Sequence, residues 1–277
     1  MKIVNTIREM KELRPALNGP VGFVPTMGYL HEGHLSLIRK AIAENSSVVV
    51  SIFVNPAQFD SKADLNYYPR DTQRDIKMLT EEGASIAFMP EVAEMYPPDF
   101  DTWVEVGSLS GKLEGAFRPA HFRGVATVLT KLFNIVKPDR VYFGQKDAQQ
   151  AIIVKKMVND LNMDTMISIQ PTVREASGLA MSSRNTRLSQ EERQRASIIH
   201  QALNHAEKSW KCGETDATKI KEEVAMILKN EPLIKIDYIS IADAVTLDEL
   251  ERIERPAFVL ITVRMGETRL LDNILLG

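Results

Sequence analysis

The fold turns on one stretch, Val21-Gly22-Phe23-Val24-Pro25-Thr26-Met27-Gly28-Tyr29-Leu30-His31-Glu32-Gly33-His34. It opens with a short apolar run closed by Pro25, which marks a buried strand. His34 to Glu44 follows with Leu35, Leu37, Ile38, Ala41 and Ile42 at helical spacing, one apolar stripe. A strand therefore feeds a helix through a loop that holds two glycines and two imidazoles. In an open parallel sheet, ligands bind beyond the carboxyl ends of the strands. A loop entering a helix N-terminus suits phosphate, because unpaired N–H groups and the helix dipole face it. Glycine lets the backbone come close. Imidazoles can hydrogen-bond phosphate oxygens and stabilise charge as a phosphoanhydride breaks.

The same alternation continues outward. Thr6 can cap a first helix that ends at Arg14, before Pro15. Strands are predicted at Val48 to Val54, Ser85 to Met89, Arg140 to Phe143 and Met166 to Ile169, with Thr172-Val173 extended. Helices are predicted over Asp71 to Glu82, His121 to Val136 and Ala148 to Leu161. The strands are apolar throughout, as in a parallel sheet covered on both faces. Near residue 175 the texture changes. Glu175 to Ser189 is polar and non-periodic, a candidate hinge or active loop. Ser189 and Glu192 form a capping box for one long helix, Gln190 to Lys211, and a second helix covers Ala217 to Asn230. Three β-rich runs close the chain, Ile236 to Ile241, Phe258 to Arg264 and Arg269 to Ile274, the last two as a hairpin turning at Met265-Gly266-Glu267.

Composition bounds the function. The chain has 277 residues, 44% hydrophobic and 26% charged, enough for a real core in one large or two ordinary domains. A net charge of −3 gives no electrostatic warrant for nucleic acid or a membrane surface. Cys212 is the only cysteine, so no internal disulfide and no cysteine-based zinc site can form. No apolar run spans a bilayer, and the N-terminus lacks a signal-peptide core; the expectation is a cytoplasmic protein.

Several motifs are close without matching. Gly28 to Gly33 has the spacing of a P-loop, but His34-Leu35 replaces the Lys-Ser/Thr pair. The stretch is not GxGxxG. His31 and His34 lack the HExxH frame and a third ligand that zinc would need. What remains, HxGH opening the first helix after a strand, resembles the HIGH-type nucleotidyltransferases. Five motifs narrow the resemblance. They are Pro25-Thr26-Met27-Gly28…His31-Glu32-Gly33-His34, Phe53-Val54-Asn55-Pro56-x-Gln58-Phe59, Arg118-Pro119-x-His121-Phe122-Arg123-Gly124-Val125, Gly144-Gln145-Lys146-Asp147-x-Gln149-Gln150 and Met181-Ser182-Ser183-Arg184-Asn185. In this order they resemble the pantoate–β-alanine ligase family.

That resemblance implies a Rossmann-like, mostly parallel sheet with helices on both faces over residues 1–176, and a smaller α+β domain over 177–277 acting as a lid hinged about 175–189. It implies ATP as substrate with Mg²⁺, and pantoate and β-alanine as partners joined through a pantoyl adenylate. It implies ATP contacts from Met27, Gly28, Tyr29, Leu30, His31, Glu32, Gly33 and His34, from Gly144, Gln145, Lys146 and Asp147, and from Val173, Met181, Ser182, Ser183 and Arg184. His34, His31 and Lys146 are the catalytic candidates, and Gln58 and Gln150 the pantoate or β-alanine candidates. No protein metal ligand is assigned. Lys146 brings the compact charge that a pentavalent phosphorus needs. The alternative for His31 is a cap at the helix start, Asp147 fits the cap of the next helix just as well, and Gln149 reads as surface. A homodimer is implied by the family alone. Two positions depart from the pattern: Tyr29 stands where the family more often has a small residue, and Ala120 replaces a common glycine. The alternatives are another HxGH adenylyltransferase, or a non-catalytic nucleotide sensor.

Overall fold

Nine strands form two sheets in the computed structural model, which describes residues 1–277. Six are parallel: β1 (Lys2–Val4), β2 (Val21–Thr26), β3 (Ser47–Ile52), β4 (Ile86–Phe88), β5 (Arg140–Gly144) and β6 (Met166–Gln170). Their order is β1-β4-β3-β2-β5-β6. The other three are antiparallel, in the order of the chain: β7 (Ile234–Asp243), β8 (Ala257–Met265) and β9 (Thr268–Leu276). The two sheets fall in separate compact units. One comprises residues 1–144 and 149–171, the other 145–148 and 172–277.

The apolar runs are read out on both faces of the parallel sheet. Val21 and Phe23, Val49, Ile86 and Phe88, and Val141 and Phe143 enter one buried cluster. The intervening Val24, Val48 and Val50, Ala87, and Tyr142 enter another. Period-two alternation thus puts a core on each side, which is why these strands show no polar face. The chain moves outward from β2 through β3 and β4, then returns to place β5 on β2's other edge. The strand order reverses at β2, the switch point where open α/β sheets form binding crevices.

Helix ends follow their sequence signals. Thr6 caps Ile7–Leu13 and Asp71 caps Thr72–Glu82, which ends on left-handed Gly83. The His121–Val136 helix has the predicted limits. Edge strand β1 carries no sequence prediction; its three residues fall below the length that periodicity resolves.

In the second unit, Ser189 and Glu192 do form a capping box, but the expected single helix over 190–211 is two, Gln190–Arg195 and Ile198–Lys211. Ser197 Oγ donates to the Gln194 carbonyl at 2.8 Å, and the Ser197 N–H bonds the same oxygen at 3.3 Å. That local bond competes with the helical ladder and tightens the turn. The segment after residue 172 is ordered by an Arg174–Ala180 bridge and by Asn185, which donates to Glu175 and to the Ala180 carbonyl. The β8–β9 hairpin turns on Gly266 and Glu267, with Gly266 at φ 56° and Met265 opposite Thr268. No helix is long and apolar enough to cross a membrane.

Candidate active site

In the first unit, the loop after β2 is built around a buried carboxylate. Asp75, on the Thr72–Glu82 helix, is 1% exposed. Its two oxygens accept from the backbone N–H of Tyr29 at 2.7 Å and of Leu30 at 2.8 Å. Gly28 and Tyr29 both take positive φ, 78° and 52°. A Cβ on Gly28 would lie 2.9 Å from both Asp75 Oδ2 and Ile52 Cγ2, so only glycine fits. Tyr29 holds a conformation costly for a bulky residue, and the Arg74 guanidinium covers its ring at 5.4 Å. Burial raises the Asp75 carboxyl above its ordinary value despite the two N–H donors.

The loop runs into the helix Glu32–Glu44, for which His31 is the N-cap. His31 Nδ1 accepts from Gly33 N at 3.2 Å, and His34 Nδ1 accepts from His31 N at 3.4 Å. The two rings stack with centroids 4.1 Å apart. An accepting nitrogen carries no proton, so each neutral ring holds its proton on Nε2. The capping and chemical readings of His31 therefore coexist: one nitrogen serves the helix, the other is a donor. Glu32 is exposed, and its carboxylate pairs with Arg39.

Beyond β3, Asn55 is 1% exposed and sets the Gln58 amide. Its Nδ2 donates to Gln58 Oε1 at 3.0 Å and to the Gly124 carbonyl at 3.1 Å, while its Oδ1 accepts from Tyr96 Oη at 2.9 Å. Gln58 Nε2 is consequently the presented donor; it meets Met27 Sδ at 3.1 Å. The structure thus brings Met27 and Gln58 together. Gln150 is half-buried on the helix Ala148–Asp160. Its neighbour Gln149, expected at the surface, is 3% exposed. Gln149 donates to the carbonyls of Leu109 and Lys112 and accepts from Glu114 N, fastening that irregular loop.

In the second unit, Lys146, Ser182 and Arg184 line one pocket, together with Asn185, Arg269 and Asp272. Lys146 lies in the single turn Gln145–Asp147 and donates to Asp147 at 3.3 Å. Its backbone is held from β9. Asn273 Nδ2 donates to the carbonyls of Gln145 at 3.0 Å and Lys146 at 2.8 Å. The adjacent Asp272, 4% exposed, takes both ends of the Arg174 guanidinium. Ser182 caps the turn Ser183–Arg187 by accepting from Arg184 N at 3.3 Å. Ser183 is buried, and neither it nor Met181 lines the pocket. Val173 accepts from Met181 N through its carbonyl at 3.0 Å.

Asp75, Asn273 and Asp272 are the supporting residues that composition hides, yet each leaves a trace. Asp75 stands four residues before Leu79, on the buried stripe of its helix. Asp272-Asn273 interrupts the apolar run Leu270 to Leu276 of the last strand. No group of three His, Cys, Asp or Glu side chains is placed to hold a metal ion.

Comparison with known proteins agrees over the full length. Residues 2–275 match the family model described as Pantoate-beta-alanine ligase. A pantothenate synthetase from Thermotoga petrophila is 55% identical, with 100% of both chains covered. One from Roseiflexus castenholzii is 50% identical, covering 100% of this chain and 99% of its own. Among solved structures, pantothenate synthetase from Thermus thermophilus superposes with a TM-score of 0.94 at 44% identity, covering 99% of each chain. The pantoate–β-alanine ligase of Francisella tularensis, complexed with β-γ ATP and β-alanine, gives a TM-score of 0.82 at 34% identity, covering 99% of this chain and 97% of its own. With sequence and fold alike end to end, the chain belongs to the pantoate–β-alanine ligase family.

Proposed function

We propose that the Met27–His34 loop, the Gly144–Asp147 turn, Val173 and the Met181–Arg184 segment bind ATP, and that Gln58 and Gln150 hold pantoate. The reaction is the ATP-dependent joining of pantoate to β-alanine. A pantoate carboxylate oxygen attacks the α-phosphorus, the bond to the bridging oxygen breaks, and pyrophosphate leaves. The β-alanine amine then attacks the acyl carbon of the adenylate, loses a proton and expels AMP. Positioning and charge stabilisation suffice, with no covalent enzyme intermediate.

The observation that carries this reading is the capping box of His31 and His34 at the sheet's switch point. It commits both Nδ1 atoms to the backbone, which puts the proton of each neutral ring on Nε2, the edge proposed to face phosphate oxygens. Lys146 and Arg184 supply positive charge to the phosphates, Lys146 as a point charge and Arg184 as a fork. The Gln58 donor, fixed by Asn55, suits the carboxylate and hydroxyls of pantoate.

Mg²⁺ is proposed to arrive with ATP, on phosphate oxygens. No protein ligand for Mg²⁺ is assigned; both Asp75 oxygens accept backbone N–H. Residues 177–277 are proposed to act as a lid hinged about 175–189. Hydrogen exchange in 175–189 that ATP plus pantoate leaves unchanged would refute the lid. A homodimer in the cytoplasm is proposed from family membership, and light scattering tests the dimer.

The deciding experiment follows products from ATP and Mg²⁺. Pyrophosphate is expected with pantoate alone, in at most stoichiometric amount, and continuous AMP release only when β-alanine is added. Absence of AMP under all conditions, with ATP still bound, would overturn the reading in favour of a sensor. AMP retained in a product, with no response to β-alanine, would favour a different acceptor.

A further inference from the structure

The motif Arg118-Pro119-Ala120-His121-Phe122-Arg123-Gly124 has no part in the reaction described so far. It forms the entry and first turn of the helix His121–Val136, which has no side-chain cap of its own. That turn lies against the 55–60 segment. A Cβ on Gly124 would fall 2.2 Å from the Ala57 carbonyl oxygen, so the helix backbone approaches as closely as glycine allows. Two side chains then converge on one acceptor. His121 Nδ1 lies 2.8 Å from the Gln58 carbonyl oxygen, and Arg118 Nη2 donates to the same oxygen at 3.0 Å. Arg118 Nε also donates to Asp60 at 2.7 Å, two residues further along.

We propose that His121, with Arg118, is a positioning residue that holds the Gln58 backbone and so fixes where its amide meets pantoate. A carbonyl can only accept, so the His121 proton sits on Nδ1. Desolvation, helped by the Arg118 charge, pushes the imidazole down to about 4, which keeps it neutral in that tautomer near pH 7. Gln58 is thereby held twice: its carbonyl by His121 and Arg118, its side-chain oxygen by Asn55. The inference rests on the reading of Gln58 as a pantoate ligand.

Two isosteres separate this role from others. In His121→Asn the amide nitrogen can occupy the place of Nδ1 and still donate. In His121→Gln it reaches toward the place of Nε2 instead. His121→Gln is expected to raise the KM for pantoate roughly three- to tenfold, the worth of about one hydrogen bond. The KM for ATP should stay within about twofold, because the ATP loop has its own anchor in Asp75. His121→Asn is expected to restore the pantoate KM to within about twofold of the parent. In a Gln58→Ala background, His121→Gln should add nothing to the pantoate KM.

If His121→Asn is as impaired as His121→Gln, the ring's other nitrogen matters and the positioning role is overturned. If His121→Gln multiplies the pantoate KM equally with and without Gln58, it acts by another route and the proposal fails. If Gln58→Ala alone leaves the pantoate KM unchanged, the reading of Gln58 falls, and this inference with it. That last result is distinct from the other two, since it needs no change at His121.

Discussion

Replacing Asp75 tests whether the proposed ATP loop is held from outside. Asp75→Ala removes acceptors at 2.7 and 2.8 Å from two consecutive N–H groups. Hydrogen bonds to a charged group are worth about 1.5–3 kcal/mol each, so the gross loss is roughly 3–6 kcal/mol. Part is returned, because burial raises the Asp75 carboxyl. By linkage, the ionised group costs the fold stability at neutral pH; the cost is absent below the ordinary aspartate value and complete above the raised one. A net loop destabilisation of about 2–3 kcal/mol corresponds to about 30- to 150-fold. That is the most by which the ATP KM can rise, reached when the free loop disorders and ATP must reorder it. Asp75→Asn keeps one acceptor and removes the buried charge, so its ATP KM should lie between parent and Asp75→Ala, with a midpoint temperature near the parent's. Steady-state KM values for ATP and pantoate, set beside thermal melts, read all of this. Equal rises in both KM values, or a large loss of stability with no change in ATP KM, would refute the anchor.

Three further outcomes follow from the other anchors. Lys146→Ala should lower kcat by about 10²–10³, the usual loss for one group stabilising transition-state charge; turnover at the parent rate would remove Lys146 from the chemistry. Asn273→Ala leaves the Gln145 and Lys146 carbonyls without their side-chain donor. It should lower kcat roughly tenfold in the parent and not at all in Lys146→Ala, a non-additivity read in a double-mutant cycle. The carboxyl of Asp243 is held down to about 2 by the Thr246 N–H first, then by Arg255 and the Val245 N–H. Relative to its ordinary 3.8 this converts to roughly 2 kcal/mol of stability. A depressed value means that stability is complete above the ordinary pKa and lost as pH falls through about 2. Urea denaturation should therefore show Asp243→Asn destabilised at pH 7, with the gap closing in acid.

The strand-to-helix alternation, the capped helices and the C-terminal hairpin are legible in the sequence because they rest on local signals. Thr6, Asp71, Gly83 and Ser189 act on backbone groups within a few residues of themselves. The break at Ala196-Ser197 is also local, but it depends on which of two acceptable bonds the serine makes. What sequence reading misses is non-local. Asp75 reaches back across 46 residues to Tyr29, and Asn273 across 127 to Lys146. Gln149 looks like surface because an amide is polar, yet three backbone partners let it be buried. Each is a buried polar side chain satisfying backbone groups of a distant loop, and no periodicity encodes such a partner.

This division explains why the residues proposed for the chemistry stand out while their supports do not. His31 and His34 are conspicuous because helix capping and phosphate chemistry call for groups at the same place, the first turn after a strand. An ionised Asp cap would accept from the same N–H groups but, being acceptor-only, would present no donor. A pair of imidazoles does both, since one ring offers an acceptor and a donor on opposite edges. The requirement is strict about tautomer: if either Nδ1 carried the proton, its backbone donor would lose its acceptor. The cap thus fixes the tautomer of both rings, and for the proposed phosphate contacts preorganisation of this kind is what makes electrostatic stabilisation effective in a transition state.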